Sequence, residues 1–192
     1  MKADFFKGYA GRLVAVLANS GWEGVALLAQ DMHDCWRRGR QVFLCGNGGS
    51  AGNAIHLAND FLYGVAKESG KGMRVHALSA NSAVISCLAN DIGYDSIYSE
   101  QVSVLGNPGD LLLVLSGSGN SPNILKVLEV ARQKKMVTYA ILGFDGGKAK
   151  EITDHAIHFQ VNDMQISEDL QLVVGHMVMQ YLHANRESNF DH

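Results

Sequence analysis

The chain has 192 residues, of which 47% are hydrophobic and 18% are charged. This length and balance predict one globular domain with a sizeable core, and they argue against a disordered chain. The formal net charge is −3 and no basic block occurs. Sequence-independent nucleic-acid binding is therefore disfavoured, because it needs many lysine and arginine contacts to phosphate.

The first 39 residues predict two amphipathic helices. In the first, apolar side chains recur at helical spacing, at Phe5, Phe6, Tyr9, Leu13, Val16 and Leu17. The second runs from about Trp22 to Arg38. It is predicted to stop at Arg38-Gly39-Arg40, since a glycine between basic residues suits a helix C-terminus.

From residue 40 onward, short apolar runs alternate with helical stretches. The runs, interpreted as strands, are Gln41–Cys45, Arg74–Leu78, Leu111–Leu115, Thr138–Leu142 and Ala156–Phe159. The predicted helices are Ser50–Tyr63, Ala83–Asn90, Ser96–Leu105, Pro122–Lys135, Lys148–Thr153 and Ser167–His183. Nearly continuous apolar strands separated by helices indicate an α/β fold with a parallel sheet covered on both faces.

No linker or internal repeat marks a second domain. We therefore predict a single domain over 1–192, made of N-terminal helices (1–39), an α/β core (40–185) and a loose tail (186–192). Three cysteines cannot all pair and none has CxxC spacing, which favours free thiols in a reducing compartment. No run approaches the roughly 20 apolar residues of a membrane span, and no signal peptide is recognisable. A cytoplasmic protein without a membrane partner is expected.

Two loops rich in glycine and serine follow predicted strands. The first is Cys45-Gly46-Asn47-Gly48-Gly49-Ser50, and the second is Ser116-Gly117-Ser118-Gly119-Asn120-Ser121. Backbone N–H groups at a helix start attract anions, and open α/β sheets bind ligands at the carboxyl ends of their strands. Either loop alone could be only a tight turn, but two in one small chain favour a phosphate site.

A nucleotide site is the alternative for the first loop. Gly46-x-Gly48-x-x-Ala51 satisfies the relaxed dinucleotide fingerprint, and Glu68 falls at about the distance of a ribose-binding acid. However, Glu68 lies in a polar segment rather than at the end of a second strand, and the second serine-rich loop has no role in such a site. No nucleotide cofactor is therefore expected.

Four features of the chain resemble those of SIS-domain proteins. In sequence order they are the first loop, His56, the segment Asn90-Asp91-Ile92-Gly93-Tyr94 and the second loop. The nearest branch is the phosphoheptose isomerases, which convert sedoheptulose 7-phosphate into an aldoheptose 7-phosphate for bacterial surface polysaccharides. Asp145-Gly146-Gly147 and the helix carrying Glu168 and His176 extend the match.

The resemblance implies a three-layer αβα sandwich around a five-stranded parallel sheet, and a homotetramer with active sites at subunit interfaces. It implies that a phosphorylated sugar is bound by residues of both loops and by Asp91. The loop residues are Asn47, Gly48, Gly49, Ser50, Ser116, Gly117, Ser118 and Ser121.

Aldose–ketose isomerisation needs a base that moves a proton between adjacent carbons and an acid for the carbonyl oxygen. The resemblance assigns His56, Asp60, Glu168 and His176 to this end of the site, and some members bind zinc with this set. Asp60 or Glu168 would be the base and His176 the acid or its partner. All four would be metal ligands, since two histidines and two carboxylates suit zinc.

Three positions depart from the resembled pattern. The family's glutamate base is Asp60, its glutamine is Glu168, and an arginine beyond the base is replaced by Gly64. These departures leave open an isomerase for another ketose–aldose phosphate pair. A non-catalytic member that binds a sugar phosphate or the replication initiator protein is a further alternative. His56 and His176 could also be satisfied structural histidines.

Overall fold

The computed structural model describes residues 2–67 and 70–186. Within them the strands are β1 (Gln41–Gly46), β2 (Arg74–Ala77), β3 (Leu111–Ser116), β4 (Val137–Leu142) and β5 (His155–His158). The α-helices are α1 (Lys2–Asn19), α2 (Glu23–Arg37), α3 (Gly49–Leu62), α4 (Ser82–Asp91), α5 (Ser99–Leu105), α6 (Pro122–Gln133), α7 (Ala149–Ile152) and α8 (Met164–Ala184). Glu68 and residues 187–192 of the predicted tail lie outside the described residues.

The five strands form one parallel sheet in the order β2-β1-β3-β4-β5. Every residue of β1 and β3 is buried, which is what continuous apolar runs such as Leu111–Ser116 require in the centre of a sheet. The predicted strands are confirmed, each to within one residue at either end.

Helices cover both faces of this sheet and complete the predicted three-layer sandwich. One apolar cluster joins β-strand side chains to α2, α3 and α8, through residues such as Met32, Phe61 and Val174. The other joins the opposite face to α5, α6 and α7, through Val102 and Leu128 among others. The two N-terminal helices belong to the first face, against which α1 packs only partly buried side chains.

Two helices differ from their predicted bounds by more than two residues. The stretch predicted as one helix over Ser96–Leu105 is instead a 3₁₀ turn at Tyr94–Ser96 followed by the short α5. α8 begins at Met164 rather than Ser167, because the Asp163 side chain caps it by accepting from the Ile166 N–H. The earlier start adds a turn to α8 at the carboxyl edge of the sheet.

The sheet brings both glycine- and serine-rich loops together. β1 and β3 are neighbours, and Gly46 pairs in register with Leu115, so the two loops leave adjacent strands at the same edge. α3 leaves the first loop and α6 leaves the second. The fold therefore places the predicted halves of the phosphate site side by side.

No single described helix is long and apolar enough to cross a membrane. Among the described helices, only α1 and α2 taken together have the length and apolar composition of a membrane span. The two helices are bent by 77° relative to each other.

Candidate active site

The first loop turns sharply into α3 at Gly48. This residue has φ +56°, a left-handed conformation that glycine adopts without a Cβ penalty, and α3 starts at the next residue. Behind the loop, the buried Tyr98 hydroxyl donates a hydrogen bond to the Gly46 carbonyl. Burial also raises the pKa of Tyr98, so this donor keeps its proton at ordinary pH. The backbone of the loop is thus held from the protein side while its other side is open to a ligand.

The second loop is held by the segment that follows β4. The Gly117 carbonyl accepts from the Gly143 N–H, and the Gly119 carbonyl accepts from the Ala149 N–H. Asn120 accepts from the Lys148 N–H at 3.1 Å. Residues on either side of the predicted Asp145-Gly146-Gly147 extension therefore hold the second loop, and the two glycines lie close against its backbone.

A cavity of about 250 Å³ opens between the loops. Eight of the nine predicted substrate-binding residues line it, namely Asn47, Gly48, Gly49, Ser50, Ser116, Gly117, Ser118 and Ser121. Leu115, Met164 and Glu168 complete the lining. The ninth, Asp91, is an exposed residue at the end of α4 and is absent from this lining.

Asp91 is instead held by its own neighbours. Its carboxylate accepts from the Asn90 amide at 2.8 Å and from the Cys87 thiol at 3.4 Å. The Asn90 and Cys87 hydrogen bonds lower the pKa of Asp91, and the same contact raises the pKa of Cys87. Asp91 is therefore a fixed surface anion outside the loop cavity.

Two serine hydroxyls of the cavity already accept a hydrogen bond from the protein and keep their protons available. Ser50 Oγ accepts from Gln171 Nε2 at 3.0 Å, and Ser116 Oγ accepts from the Gly119 N–H at 3.0 Å. Ser121 precedes α6 but makes no side-chain cap bond, so the helix does not use its hydroxyl. A hydroxyl whose oxygen already accepts from the protein directs its proton elsewhere, which suits an anion with acceptor oxygens only.

Gln171 is a residue that the sequence analysis did not identify. Its side chain is fully buried on α8, and its oxygen accepts from Asn53 at 3.0 Å while its nitrogen donates to Ser50. It fixes the Ser50 hydroxyl across 121 residues of sequence. Only a long-range contact identifies it, and no local pattern signals such a contact.

His56, Asp60 and His176 converge as predicted. Asp60 Oδ2 lies 3.4 Å from His56 Nε2 and 3.5 Å from His176 Nε2, and the two Nε2 atoms are 2.9 Å apart. Asp60 is mostly buried, with 19% of its side chain exposed, whereas each imidazole is 48% exposed. Three atoms that can each donate an electron pair to a metal or bind a proton therefore lie within 3.5 Å of one another.

Glu168, the fourth predicted ligand, does not join this triad. Its carboxylate lies against the backbone of Gly49, where an added Cβ would be 2.4–2.5 Å from both carboxylate oxygens. Eight residues of helix separate it from His176, a rise of about 12 Å. Within the chain, Glu168 belongs to the loop cavity and the other three residues form a separate group.

The two parts of the site are connected by α3 and α8, which run parallel. Gly49 lies against Glu168, Asn53 bonds to Gln171, and His56 meets His176. The triad therefore stands roughly 10–12 Å along this helix pair from the loop cavity, at 1.5 Å of rise per residue. The site has a phosphate-type end and an acid–base end at a fixed spacing.

Comparison with known proteins agrees with this arrangement. The model of the SIS domain matches residues 5–143, which contain both loops, His56 and Asp60. The chain belongs to the SIS-domain family. A phosphoheptose isomerase of Chlorobaculum parvum is 34% identical over 178 residues, covering 92% of this chain and 85% of that protein. One from Rhodospirillum rubrum is 40% identical over 144 residues, covering 74% and 75%.

The fold comparison extends over the C-terminal helix of this SIS domain. The structure of a phosphoheptose isomerase from Francisella tularensis superposes with a TM-score of 0.90 at 26% identity, covering 96% of this chain and all of that one. Together with the sequence relatives, this places the chain in the phosphoheptose isomerase branch of the SIS-domain family. The expected family and fold are confirmed.

The three departures from the branch pattern all lie at the site. Asp60 forms the triad, and Glu168 lines the loop cavity. Gly64 stands beside Asp60, since a Cβ on Gly64 would lie 3.9 Å from Asp60 Oδ1 and 3.0 Å from the tip of Met179. These three positions therefore lie in the loop cavity or in and beside the triad rather than in the scaffold.

Proposed function

We propose that this SIS domain isomerises sedoheptulose 7-phosphate to D-glycero-D-manno-heptose 7-phosphate through an enediol. The observation that carries the proposal is the pairing of a serine-lined anion cavity with a His–Asp–His triad along one pair of helices. Membership in the phosphoheptose isomerase branch supports the substrate class.

The spacing of the site supports a long phosphosugar. A seven-carbon chain phosphorylated at its end spans about 10 Å from C1 to phosphorus when extended, at about 1.2 Å per bond. This is close to the separation between the loop cavity and the triad along α3 and α8. With the phosphate between the loops, C1 and C2 would reach the triad.

At the reacting end, the Asp60 carboxylate would remove a proton from C1 of the ketose and return it to C2. His176 would protonate the C2 oxygen to form the enediol and take the proton back from the C1 hydroxyl. His56 would orient both groups through its contacts with Asp60 and His176. Glu168 is at the phosphate end, so we assign the base to Asp60 rather than to Glu168.

The triad also fits a zinc ion. Ligand atoms around a tetrahedral zinc at about 2.0–2.1 Å lie about 3.3 Å apart. The three separations of 2.9, 3.4 and 3.5 Å match one face of such a tetrahedron. We propose His56, Asp60 and His176 as the ligands. Because an Nε2 atom that binds zinc cannot donate a proton, a bound zinc would polarise the substrate oxygen as a Lewis acid in place of protonation by His176. Calorimetric titration with zinc should show one site per chain that His176→Ala removes.

The reaction is tested with sedoheptulose 7-phosphate in D₂O, using protein supplied with zinc. We expect aldoheptose 7-phosphate with deuterium at the reacting carbon, because a base exchanges the transferred proton with solvent. Binding of the phosphosugar without turnover or exchange would refute the isomerase and support a binding protein. Turnover only with another ketose phosphate would revise the substrate.

The assignment of the base is tested with a matched pair of variants. Asp60→Asn should slow turnover at least tenfold, equivalent to about 1.4 kcal/mol of barrier, whereas Glu168→Gln should not. Each substitution removes one carboxylate from the site. The opposite ranking would move the base to Glu168.

We also propose that the protein is a homotetramer in the cytoplasm. Exposed apolar side chains on α1, such as Phe5, Phe6 and Val14, support association of subunits. Asp91, exposed outside the loop cavity, would contact sugar at a site shared between subunits.

A further inference from the structure

Asn47 and Asn123 join the two phosphate loops through reciprocal amide hydrogen bonds. Asn47 Nδ2 donates to Asn123 Oδ1 at 2.9 Å, and Asn123 Nδ2 donates back to Asn47 Oδ1 at 2.8 Å. Asn47 belongs to the first loop, and Asn123 is the second residue of α6, directly after the second loop. Asn123 is only 1% exposed, so water does not compete for this pair.

Tyr94 connects a third segment to the same amide. Its hydroxyl donates to Asn47 Oδ1 at 3.3 Å from the 3₁₀ turn that follows α4. An amide oxygen has two lone pairs, and both are now occupied, by Asn123 and by Tyr94. The Asn47 nitrogen has two N–H groups, of which one is given to Asn123. Asn47 therefore presents one N–H donor to the cavity and no acceptor.

We propose that Asn123 is a positioning residue that fixes the Asn47 amide as an N–H donor toward the bound phosphosugar. The same pair of hydrogen bonds sets the spacing of the two loops. The identity of the ligand rests on the proposed function. The reciprocal pair would survive rotation of both amides, so Asn123 holds the Asn47 amide in place while the hydrogen bond from Tyr94 selects its orientation.

The chemistry explains why an asparagine is needed at position 123. An alanine would leave Asn47 Oδ1 with one partner and its nitrogen with none, so the amide could rotate and present its oxygen to the cavity. An acceptor oxygen facing a phosphate or a sugar oxygen would oppose binding. If Asn47 contacts the phosphosugar equally in the ground state and the transition state, as the proposed function implies, the loss should appear in binding and KM more than in kcat.

A double-mutant cycle tests the proposal, with Asn47→Ala, Asn123→Ala and both together. The dissociation constant of sedoheptulose 7-phosphate is measured by calorimetry, and KM and kcat by turnover. Asn123→Ala should weaken binding about tenfold when Asn47 is present and less than twofold when residue 47 is alanine. An equal effect in both backgrounds, or no effect in either, would overturn the proposal.

Thr138→Val serves as the matched control. Thr138 is fully buried and exchanges hydrogen bonds of 2.7 and 2.9 Å with Asp154, at the amino end of β4 and away from the loops. It should lower the melting temperature and leave the dissociation constant unchanged. If it weakened binding as much as Asn123→Ala, a general loss of stability would explain both, and the positioning role would be refuted.

Tyr94→Phe covers the case in which Asn123→Ala fails to fold. Tyr94 is 57% exposed, so its hydroxyl can be removed without disturbing the core. We expect binding two- to threefold weaker, and no effect once residue 47 is alanine; an unchanged dissociation constant would overturn the proposal. A wild-type protein that binds without turnover would refute the isomerase alone and leave this cycle readable from its dissociation constants.

Discussion

Glu168 introduces a negative charge where the site is expected to hold a phosphate. Its carboxylate faces the backbone of Gly49, in the cavity whose other polar groups are serine hydroxyls, an asparagine and loop amides. Two unit charges about 4 Å apart at a protein surface interact by about 4 kcal/mol, and solvent reduces this at a half-buried position. The resemblance implies a neutral glutamine at this position in the family, so we expect this chain to differ from its relatives in the electrostatics of the phosphate end.

Glu168→Gln should therefore tighten binding of inorganic phosphate. We expect a dissociation constant about three- to tenfold lower by calorimetry at neutral pH, or about 0.7–1.4 kcal/mol. Glu129→Gln is the matched control, since it makes the same charge change on the exposed face of α6. Equal tightening in both variants would indicate only a net-charge effect, and no tightening in Glu168→Gln would contradict the repulsion.

At the scale of elements, α1 is attached to the start of α8 by two polar contacts. The Tyr9 hydroxyl donates to Asp169 at 2.5 Å, and Arg12 donates to Asp163 at 3.1 Å. Asp163 caps α8, and the hydrogen bond that its carboxylate accepts from the backbone N–H of Ile166 lowers the pKa of Asp163 more than any other contact does. α1 therefore supports the turn that carries Met164 and Glu168 into the cavity.

The Tyr9–Asp169 contact predicts a loss of stability at high pH. The hydrogen bond to Asp169 raises the pKa of Tyr9 from 10.0 to about 12 in the folded chain. A raised pKa means that the contribution is complete below pH 10 and is lost as the pH rises through about 12. The difference in free energy of unfolding between wild type and Tyr9→Phe, from urea titrations, should shrink over this interval. A constant difference from pH 9 to 12 would show that folding does not raise the pKa of Tyr9.

The sequence predicted the elements well where the signal is local. The strands of the central sheet are continuous apolar runs, and their burial on both faces needs no knowledge of partners. The sequence places the start of α8 three residues late, because no clear helical spacing of apolar residues follows directly after the cap at Asp163. The Ser96–Leu105 prediction missed that Tyr98 turns its hydroxyl to Gly46 instead of continuing a helix face.

The sequence likewise predicts some residues of the site and misses others. Both loops were found, because glycines and serines after a strand form a local pattern. Gln171 and Asn123 were not found, since each acts on a loop residue that is distant in sequence, over 121 and 76 residues. Glu168 was grouped with His56, Asp60 and His176 by resemblance, but two helical turns place it at the other end of the site.

On the scale of the molecule, rigid and adaptable parts are separated. The loops leave two adjacent, fully buried strands and are linked to each other by amide hydrogen bonds, so the phosphate end is preorganised. Its acid–base end lies on the exposed side of α3 and α8, with both imidazoles half exposed. A second subunit covering this side would exclude water from the reacting carbons, which links assembly to catalysis.

Association through α1 is the corresponding prediction. Phe5 is 77% exposed and Phe6 68%, and their rings form an edge-to-face pair on a helix that packs only partly against its own chain. Such side chains gain most when another subunit buries them, so light scattering should give the mass of four chains for the wild type. The double substitution Phe5→Ser and Phe6→Ser should lower that mass at equal concentration while circular dichroism retains the helical signal.

Val104→Ser, which alters an apolar residue that is 80% exposed on α5, is the control and should leave the mass unchanged. A single-chain mass for the wild type would contradict the tetramer, and dissociation by Val104→Ser alone would move the interface to the opposite face of the sheet.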